Sequence, residues 1–121
     1  MRNFRELDIW KNGILLVKKV YLLVNTFPSK EKYGLSSQMS RSAISIPSNI
    51  AEGCSRDSQK DFSRFLQIAL GSSFELETQL LISLEVGLIS QSEYVGILES
   101  LNKLQKSINS LKKYADNQPK A

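Results

Sequence analysis

The two residue types that carry much of enzymatic chemistry are nearly missing from this chain, which has no histidine and a single cysteine, Cys54. Without histidine, neither a Ser-His-Asp nor a Cys-His nucleophile can form, and the Glu-x-x-His ligand pairs of di-iron bundles are excluded. One cysteine cannot build the usual zinc sites, and a lone cysteine is more often a small buried side chain than a nucleophile. The composition therefore favours a protein that is not an enzyme and holds no cofactor or metal.

Other catalytic patterns are also missing. The sequence Gly71-Ser72-Ser73 has neither the spacing nor the lysine of a phosphate-binding P-loop. Glu75 and Glu77 are two residues apart, so on a helix they face different sides and form a poor acid–base pair. We therefore interpret these glutamates as solvated or ion-paired side chains and expect no small-molecule substrate.

A polar row at helical spacing runs through the middle of the chain. Arg41, Asn49 and Glu52 flank an apolar stripe, and Arg56 follows them. Buried polar side chains are usually satisfied within the protein, which favours a structural network that fixes one helix against the next. The predicted members of this network are Arg41, Asn49, Glu52 and Glu75. Direct ligand binding by the row, or a catalytic site built from the same four residues, are the alternatives.

Basic residues are concentrated in the first half of the chain. The first sixty residues hold ten lysines and arginines against five aspartates and glutamates, within a net charge of +4. Such a surface can attract phosphate, and a solubilising surface is the alternative. Arg56, Lys60 and Arg64 recur at four-residue spacing. Lys11 and Lys18 lie seven residues apart. The predicted nucleic-acid-binding residues are Arg41, Arg56, Lys60, Arg64, Lys11 and Lys18.

Four amphipathic segments must position these side chains. Apolar residues recur at three- and four-residue spacing, and only three prolines and six glycines interrupt them. The predicted helices span about 8–25, 34–52, 58–86 and 91–115, and the tail at 116–121 is expected to fray. Helices of this length with short connections predict an all-α fold, an antiparallel up-down-up-down four-helix bundle in a single domain.

The third and fourth segments have the clearest apolar seams and ends. Ser90 with Glu93 is typical of a capping box, Ser58 with Asp61 repeats the pattern, and Gly87 provides a stop. The seam of the fourth helix consists of Tyr94, Ile97, Leu101, Leu104, Ile108, Leu111 and Ala115. The seam of the third consists of Phe62, Leu66, Ala69, Ser73, Leu76, Leu80 and Leu84, widened by Phe65, Ile68 and Leu81.

Two residues lie inside predicted helices although their residue types are unfavourable there. Gly71 lies in the middle of the third helix, where glycine costs roughly 1 kcal/mol relative to alanine. This cost predicts that another helix approaches closely there, with a simple weak spot as the alternative. Pro47 lies inside the second helix, whose apolar stripe keeps its phase across it, so we predict a kink and not a break.

The first helix carries two adjacent apolar stripes. One consists of Trp10, Ile14, Val17, Tyr21 and Val24, and the other of Gly13, Leu16, Val20, Leu23 and Phe27. So wide an apolar arc exceeds what one bundle core needs, and part of it is expected to pack against another subunit. The pattern leaves open which stripe faces the core.

The segment from Met1 to Leu7 is polar, and no apolar run approaches the roughly 20 residues of a membrane span. A single cysteine cannot form an intramolecular disulfide. We therefore expect a cytoplasmic protein with no membrane partner.

The sequence Ser-Ile-Pro-Ser-Asn-Ile-Ala-Glu-Gly at 45–53 resembles the signature of the ribosomal-RNA intervening-sequence proteins. The similarity covers nearly the whole chain. It includes Leu7, Trp10, Phe27-Pro28, Tyr33-Gly34-Leu35, Gln38, Arg41 to Ile44, Arg56, Ser58, Phe62, Phe65-Leu66, Ile68-Ala69, Gly71-Ser72 and Glu75 to Gln79.

The resemblance implies an antiparallel four-helix bundle that assembles into a ring, typically of five subunits. A similar protein, the accessory variability determinant of diversity-generating retroelements, works with a reverse transcriptase and nucleic acid through a basic surface. We therefore expect a non-enzymatic, homo-oligomeric adaptor that binds nucleic acid or is associated with RNA, with copies of itself and RNA or DNA as partners. The alternative is a protein–protein scaffold for a polymerase or another partner, without nucleic-acid contact.

Overall fold

The apolar repeats form four α-helices in the computed structural model of the protein, which describes residues 2–119. The helices are α1 (Asp8–Val24), α2 (Leu35–Cys54), α3 (Gln59–Glu85) and α4 (Gln91–Asp116), and short 3₁₀ turns lie at Phe4–Glu6 and Ser29–Glu31. Each predicted helix begins and ends within two residues of these bounds. Asp116 still belongs to α4, and the last two residues of the predicted frayed tail, 120–121, lie outside the described residues.

The helices are arranged as a four-membered bundle. α1 lies beside α2 and α4, and α3 also lies beside α2 and α4. Within residues 2–119 the backbones of α1 and α3 do not approach each other closely, so these two helices lie on a diagonal. Short connections make consecutive helices antiparallel. α2 and α3 pack most closely, and α1 and α4 pack least closely. The predicted all-α up-down-up-down bundle is confirmed.

The core consists of the predicted seams. On α4, the side chains of Ile97, Leu101, Leu104, Ile108 and Ala115 are buried. On α1, the stripe that contains Leu16, Val20 and Leu23 faces the core, whereas Ile14 and Tyr21 of the other stripe are exposed. The packing therefore places the Leu16 stripe at the centre of the core, while Val24 of the other stripe is also buried and Trp10 and Val17 pack at the edge.

One edge of α3 is a correction to the sequence analysis. Phe65 is buried as predicted, but Ile68 and Leu81 expose 42% and 45% of their surface. A helix in this bundle buries only the arc that faces its two neighbours, so apolar residues beyond that arc remain in solvent. The core arc of α3 is centred on Phe62 and Leu80, and the predicted widening toward Ile68 and Leu81 is wrong.

The helix ends follow the predicted caps, except that Ser58 accepts a hydrogen bond from the Asp61 N–H without the reciprocal bond of a capping box. Ser90 Oγ accepts a hydrogen bond from the backbone N–H of Glu93 at 3.1 Å, and the Glu93 carboxylate accepts one from the backbone N–H of Ser90 at 2.8 Å. At the end of α3, Gly87 has a φ of 81°, and the N–H of Leu88 donates to the carbonyl of Ser83. This is a Schellman motif, which only glycine adopts without strain.

Two glycines other than Gly71 allow helices to approach closely. A Cβ on Gly13 would lie 3.2 Å from Cβ of Pro47 on α2, and a Cβ on Gly53 would lie 2.8 Å from Cβ of Phe65 on α3. α2 remains helical through Pro47. A Cβ on Gly71 would meet nothing within 4 Å in the described part of the chain. The predicted close approach at Gly71 is therefore wrong within one subunit.

Within residues 2–119, no helix combines the length and the apolarity that crossing a membrane requires.

Candidate nucleic-acid interface

Three of the predicted basic residues lie together where α2 passes into α3. The guanidinium groups of Arg56 and Arg64 lie 4.7 and 5.3 Å from the ring centroid of Phe65, within the range of cation–π contacts. Arg56 also forms an ion pair with Glu52, with Nη2 and Oε1 2.8 Å apart. Lys60 and Arg64 are exposed, and no carboxylate of the described residues pairs with either. We call Arg56, Lys60 and Arg64 the α3-entry surface.

Arg2 extends the α3-entry surface, although the sequence analysis did not include it. Its guanidinium lies 3.8 Å from the ring centroid of Phe62 and donates a hydrogen bond to the side chain of Gln59. Its backbone N–H donates to the carbonyl of Cys54 at 3.1 Å. A residue before the first helix has no periodic pattern that would place it, so only the folded chain brings it here.

The other three predicted basic residues lie elsewhere. Arg41 is exposed on α2, fifteen residues before Arg56, which corresponds to roughly 20 Å along a helix. Lys11 and Lys18 are exposed on α1, the helix diagonal to α3. The six predicted residues therefore form no single surface on one subunit.

The polar row divides into two separate groups. Asn49 Nδ2 donates to the carbonyl and to Oγ of Ser45 at 2.8 and 2.9 Å, and the hydroxyls of Ser45 and Ser72 are 2.7 Å apart. The Ser45–Ser72 contact joins α2 to α3, and Asn49 holds Ser45 from within α2. Glu52 pairs with Arg56 instead.

Arg41 and Glu75 are exposed and take part in neither group. Arg41 lies on the outer side of α2, and Glu75 lies on the outer side of α3, away from the arc centred on Leu80. The structure therefore does not bring Arg41, Asn49, Glu52 and Glu75 together. Helical spacing relates residues along one helix, but it does not show which of them face the neighbouring helix.

A more concentrated basic surface lies on α1 and α4, and only Lys11 and Lys18 of it were among the predicted residues. Residues 9–24 and 100–115 contain no aspartate or glutamate. They contain seven lysines: Lys11, Lys18, Lys19, Lys103, Lys106, Lys112 and Lys113. Because α1 and α4 are neighbours, the two segments lie side by side. The absence of acidic residues from these two segments indicates the basic surface in the sequence. A charge count over each half of the chain does not reveal it, because the two segments lie in different halves.

Lys112 is the one of these lysines that is neutralised within the described residues. Its Nζ lies 2.8 Å from a carboxylate oxygen of Asp116, and Ser63 on α3 donates a hydrogen bond to the other oxygen. The hydrogen bonds from Lys112 and Ser63 hold the pKa of the Asp116 carboxyl below its usual range. Asp116 therefore ties the end of α4 to α3 and removes Lys112 from the free basic surface.

Comparison with known proteins identifies the family. The model of the 23S rRNA-intervening sequence protein family matches residues 5–110. The chain belongs to this family. It is also similar to a crystal structure of a protein of unknown function from the S23 ribosomal protein family of Bacteroides thetaiotaomicron VPI-5482. That structure has 25% sequence identity and a TM-score of 0.81, over 87% of this chain and 98% of the other. No curated protein matches the sequence.

The residues that carry the resemblance to the intervening-sequence proteins hold helices together. Pro47 packs on Gly13, Asn49 bonds to Ser45 at the α2–α3 contact, and Gly53 allows Phe65 to approach α2. Among residues 2–119 there is no group of three or more histidine, cysteine and acidic side chains that could hold a metal ion. The signature of this family member therefore has a structural explanation in the packing of α1, α2 and α3.

Cys54 of this intervening-sequence protein is expected to react slowly. The side chain is fully buried, and burial raises the pKa of its thiol. Because the thiolate is the nucleophile, we expect an aromatic disulfide reagent to modify the folded protein at least ~10-fold more slowly than a Cys54→Ser/Ser55→Cys variant, whose thiol is exposed. Guanidinium chloride should remove the difference. Equal rates in the folded state would show that Cys54 is accessible.

Proposed function

We propose that this protein is a non-enzymatic, ring-forming homo-oligomer that binds nucleic acid or acts as an RNA-associated adaptor. The observation that carries the proposal is the presence of large apolar side chains on the outer faces of both α1 and α3. The α1 outer face consists of Ile14, Tyr21 and Leu22, which are 43% to 62% exposed. The α3 outer face consists of Ile68, Phe74, Leu81 and Ile82, which are 42% to 55% exposed.

The placement of the two faces favours a ring. Several large apolar side chains exposed on one side of a helix are typical of interaction sites. α1 and α3 occupy opposite corners of the bundle, so their outer faces point in opposite directions. A contact between the α1 outer face of one subunit and the α3 outer face of the next is heterologous, and such contacts close into rings when the rotation allows it. Five subunits is the number that the family resemblance implies.

Assembly would increase the effect of a modest charge. One subunit has a net charge of +4, with its basic residues divided between the α3-entry surface and the lysines of α1 and α4. A ring repeats both surfaces around its circumference, and binding at several linked sites raises overall affinity without any new contact. Lys60 and Arg64 have no acidic partner among the described residues, so their charge is free to meet phosphate.

Two charge-introducing variants test the assembly. Leu22→Glu on α1 and Ile82→Glu on α3 should each reduce the mass measured by light scattering to that of a monomer, since an unpaired carboxylate would be buried in the contact. Tyr33→Glu adds the same charge at an exposed aromatic residue outside both faces and should leave the assembly intact.

A mixture of the two variants distinguishes the kinds of contact. Leu22→Glu keeps the α3 outer face, and Ile82→Glu keeps the α1 outer face. A heterologous interface therefore predicts that the mixture forms a dimer although neither variant does so alone. A wild-type protein that is monomeric at all concentrations, or variants that still assemble, would contradict the ring.

Nucleic-acid binding is tested by electrophoretic shifts with structured RNA and duplex DNA over a range of salt concentrations. Binding through phosphate contacts should weaken steeply as salt increases. No salt-sensitive shift at micromolar protein would contradict this part of the proposal. If the ring forms but binds no nucleic acid, the outer apolar faces would instead favour the protein scaffold, and capture of a partner should then resist nuclease treatment.

A further inference from the structure

The groove between α1 and α4 combines open space with hydrogen-bond donors. These two helices pack least closely of the four neighbouring pairs, and a cavity of about 170 Å³ lies between them. Its polar lining consists of Asn12, Lys19, Ser100, Lys103 and Ser107, which we call the α1–α4 groove. Its floor is apolar, because Leu16 and Leu104 at its base belong to the bundle core.

The lysines of the α1–α4 groove form no ion pair within residues 2–119. Lys19 Nζ donates to Ser100 Oγ at 2.7 Å, and neither Lys19 nor Lys103 pairs with a carboxylate of the described residues. Glu99, four residues before Lys103 on α4, is the acidic residue nearest in sequence. The other charged residues of these segments are further lysines. The lining of the groove therefore carries two cationic side chains and no anionic one.

The hydrogen-bond donors that line the groove suit an anion with several oxygen atoms. Two ammonium groups, two hydroxyls and one amide can all donate hydrogen bonds, and phosphate oxygens accept them. We propose that the α1–α4 groove binds phosphate groups of a polyanion, namely those of a nucleic-acid backbone. This inference rests on the nucleic-acid part of the proposed function and assigns it to a surface distinct from the α3-entry surface.

The dimensions of the groove suit more than one phosphate. Asn12 and Lys19 are seven residues apart on α1, which corresponds to roughly 10 Å along the helix. Phosphates of one strand follow each other at about 3.4 Å along the axis of a duplex and farther apart in an extended strand. Lys19 with Ser100 marks one end, and Asn12 with Ser107 marks the other. Two or more consecutive phosphates can therefore contact the groove together.

A lysine-acetylation footprint read by mass spectrometry tests the location. The protein is labelled alone, with inorganic tripolyphosphate, and with a ten-nucleotide single-stranded oligonucleotide. We expect the nucleotide to protect Lys19 and Lys103 several-fold, and to leave Lys30 and Lys32, which do not line the groove, unchanged. Protection by the oligonucleotide and not by tripolyphosphate indicates that the groove binds a nucleic-acid backbone. Protection by tripolyphosphate alone indicates that it binds a free phosphate compound, and this result would overturn the backbone assignment.

A pair of charge-matched variants tests the contribution to binding. Lys19→Gln/Lys103→Gln should weaken oligonucleotide binding about tenfold and reduce the slope of log affinity against log salt by about 1.4, the value for two lost single-strand contacts. Lys30→Gln/Lys32→Gln removes the same charge elsewhere and should change both quantities much less. Circular dichroism checks that both variants keep the helical fold.

The outcomes separate this inference from the proposed function. If wild-type protein binds nucleic acid but the two double variants weaken it equally, the α1–α4 groove is not the site and the general proposal stands. A larger loss in Lys60→Gln/Arg64→Gln than in the groove variant would assign binding to the α3-entry surface and overturn the inference. If the wild type binds no nucleic acid at all, both proposals fail together.

Discussion

Shortening Leu80 to alanine is expected to lower the free energy of unfolding by about 3–5 kcal/mol, the largest effect of any single change considered for this protein. Leu80 on α3 is 0% exposed and belongs to the common core of the four helices. Alanine would remove the apolar contacts of the leucine and leave a cavity that closely packed helices cannot fully close. Urea unfolding followed by circular dichroism measures the change.

The next residue provides a matched control. Leu81 has the same side chain on the same helix but is 45% exposed. Leu81→Ala should therefore change the unfolding free energy of the monomer by less than about 1 kcal/mol. In the proposed ring, Leu81→Ala should also weaken assembly, because Leu81 belongs to the α3 outer face. Similar losses for the two variants in the monomer would show that α3 is rotated from the described orientation.

Gly53→Ala is expected to lower the free energy of unfolding by about 1–3 kcal/mol, in the direction opposite to helix propensity. In an open helical position the same change would favour folding by roughly 1 kcal/mol. At Gly53 the added Cβ would lie 2.8 Å from Cβ of Phe65 and 3.3 Å from Cδ1 of Phe62. Because Cβ atoms are fixed to the backbone, α2 and α3 would have to separate at their closest contact.

Gly71→Ala shows the effect of helix propensity without the steric effect expected at Gly53. Gly71 lies inside α3, and an added Cβ would meet nothing within 4 Å in the described part of the chain. The substitution should therefore raise the unfolding free energy of the monomer by about 0.5–1 kcal/mol. Thermal unfolding of the two variants side by side gives the comparison. A stabilised Gly53→Ala, or a destabilised Gly71→Ala monomer, would contradict the packing described here.

The candidate site was only partly predictable. Local spacing correctly grouped Arg56 with Arg64, because residues along one helix and its approach stay close in any fold. It could not associate Lys19 with Lys103, which are more than eighty residues apart in sequence and line one groove only because α1 and α4 are neighbours. Arg2 was missed for the same reason, since its partners Gln59 and Phe62 lie on α3.

The sequence by itself determined the helices, their ends and the family. Apolar spacing, the Ser90–Glu93 capping box and the Gly87 stop act over a few residues, so they can be read without knowledge of the fold. The tertiary structure alone decided which stripe of α1 lies at the centre of the core and that Ile68 and Leu81 lie outside it. It also showed that a neighbouring helix approaches closely at Gly53 and not at Gly71. These features depend on how each helix is rotated toward its neighbours, and that rotation is set by packing among all four helices at once.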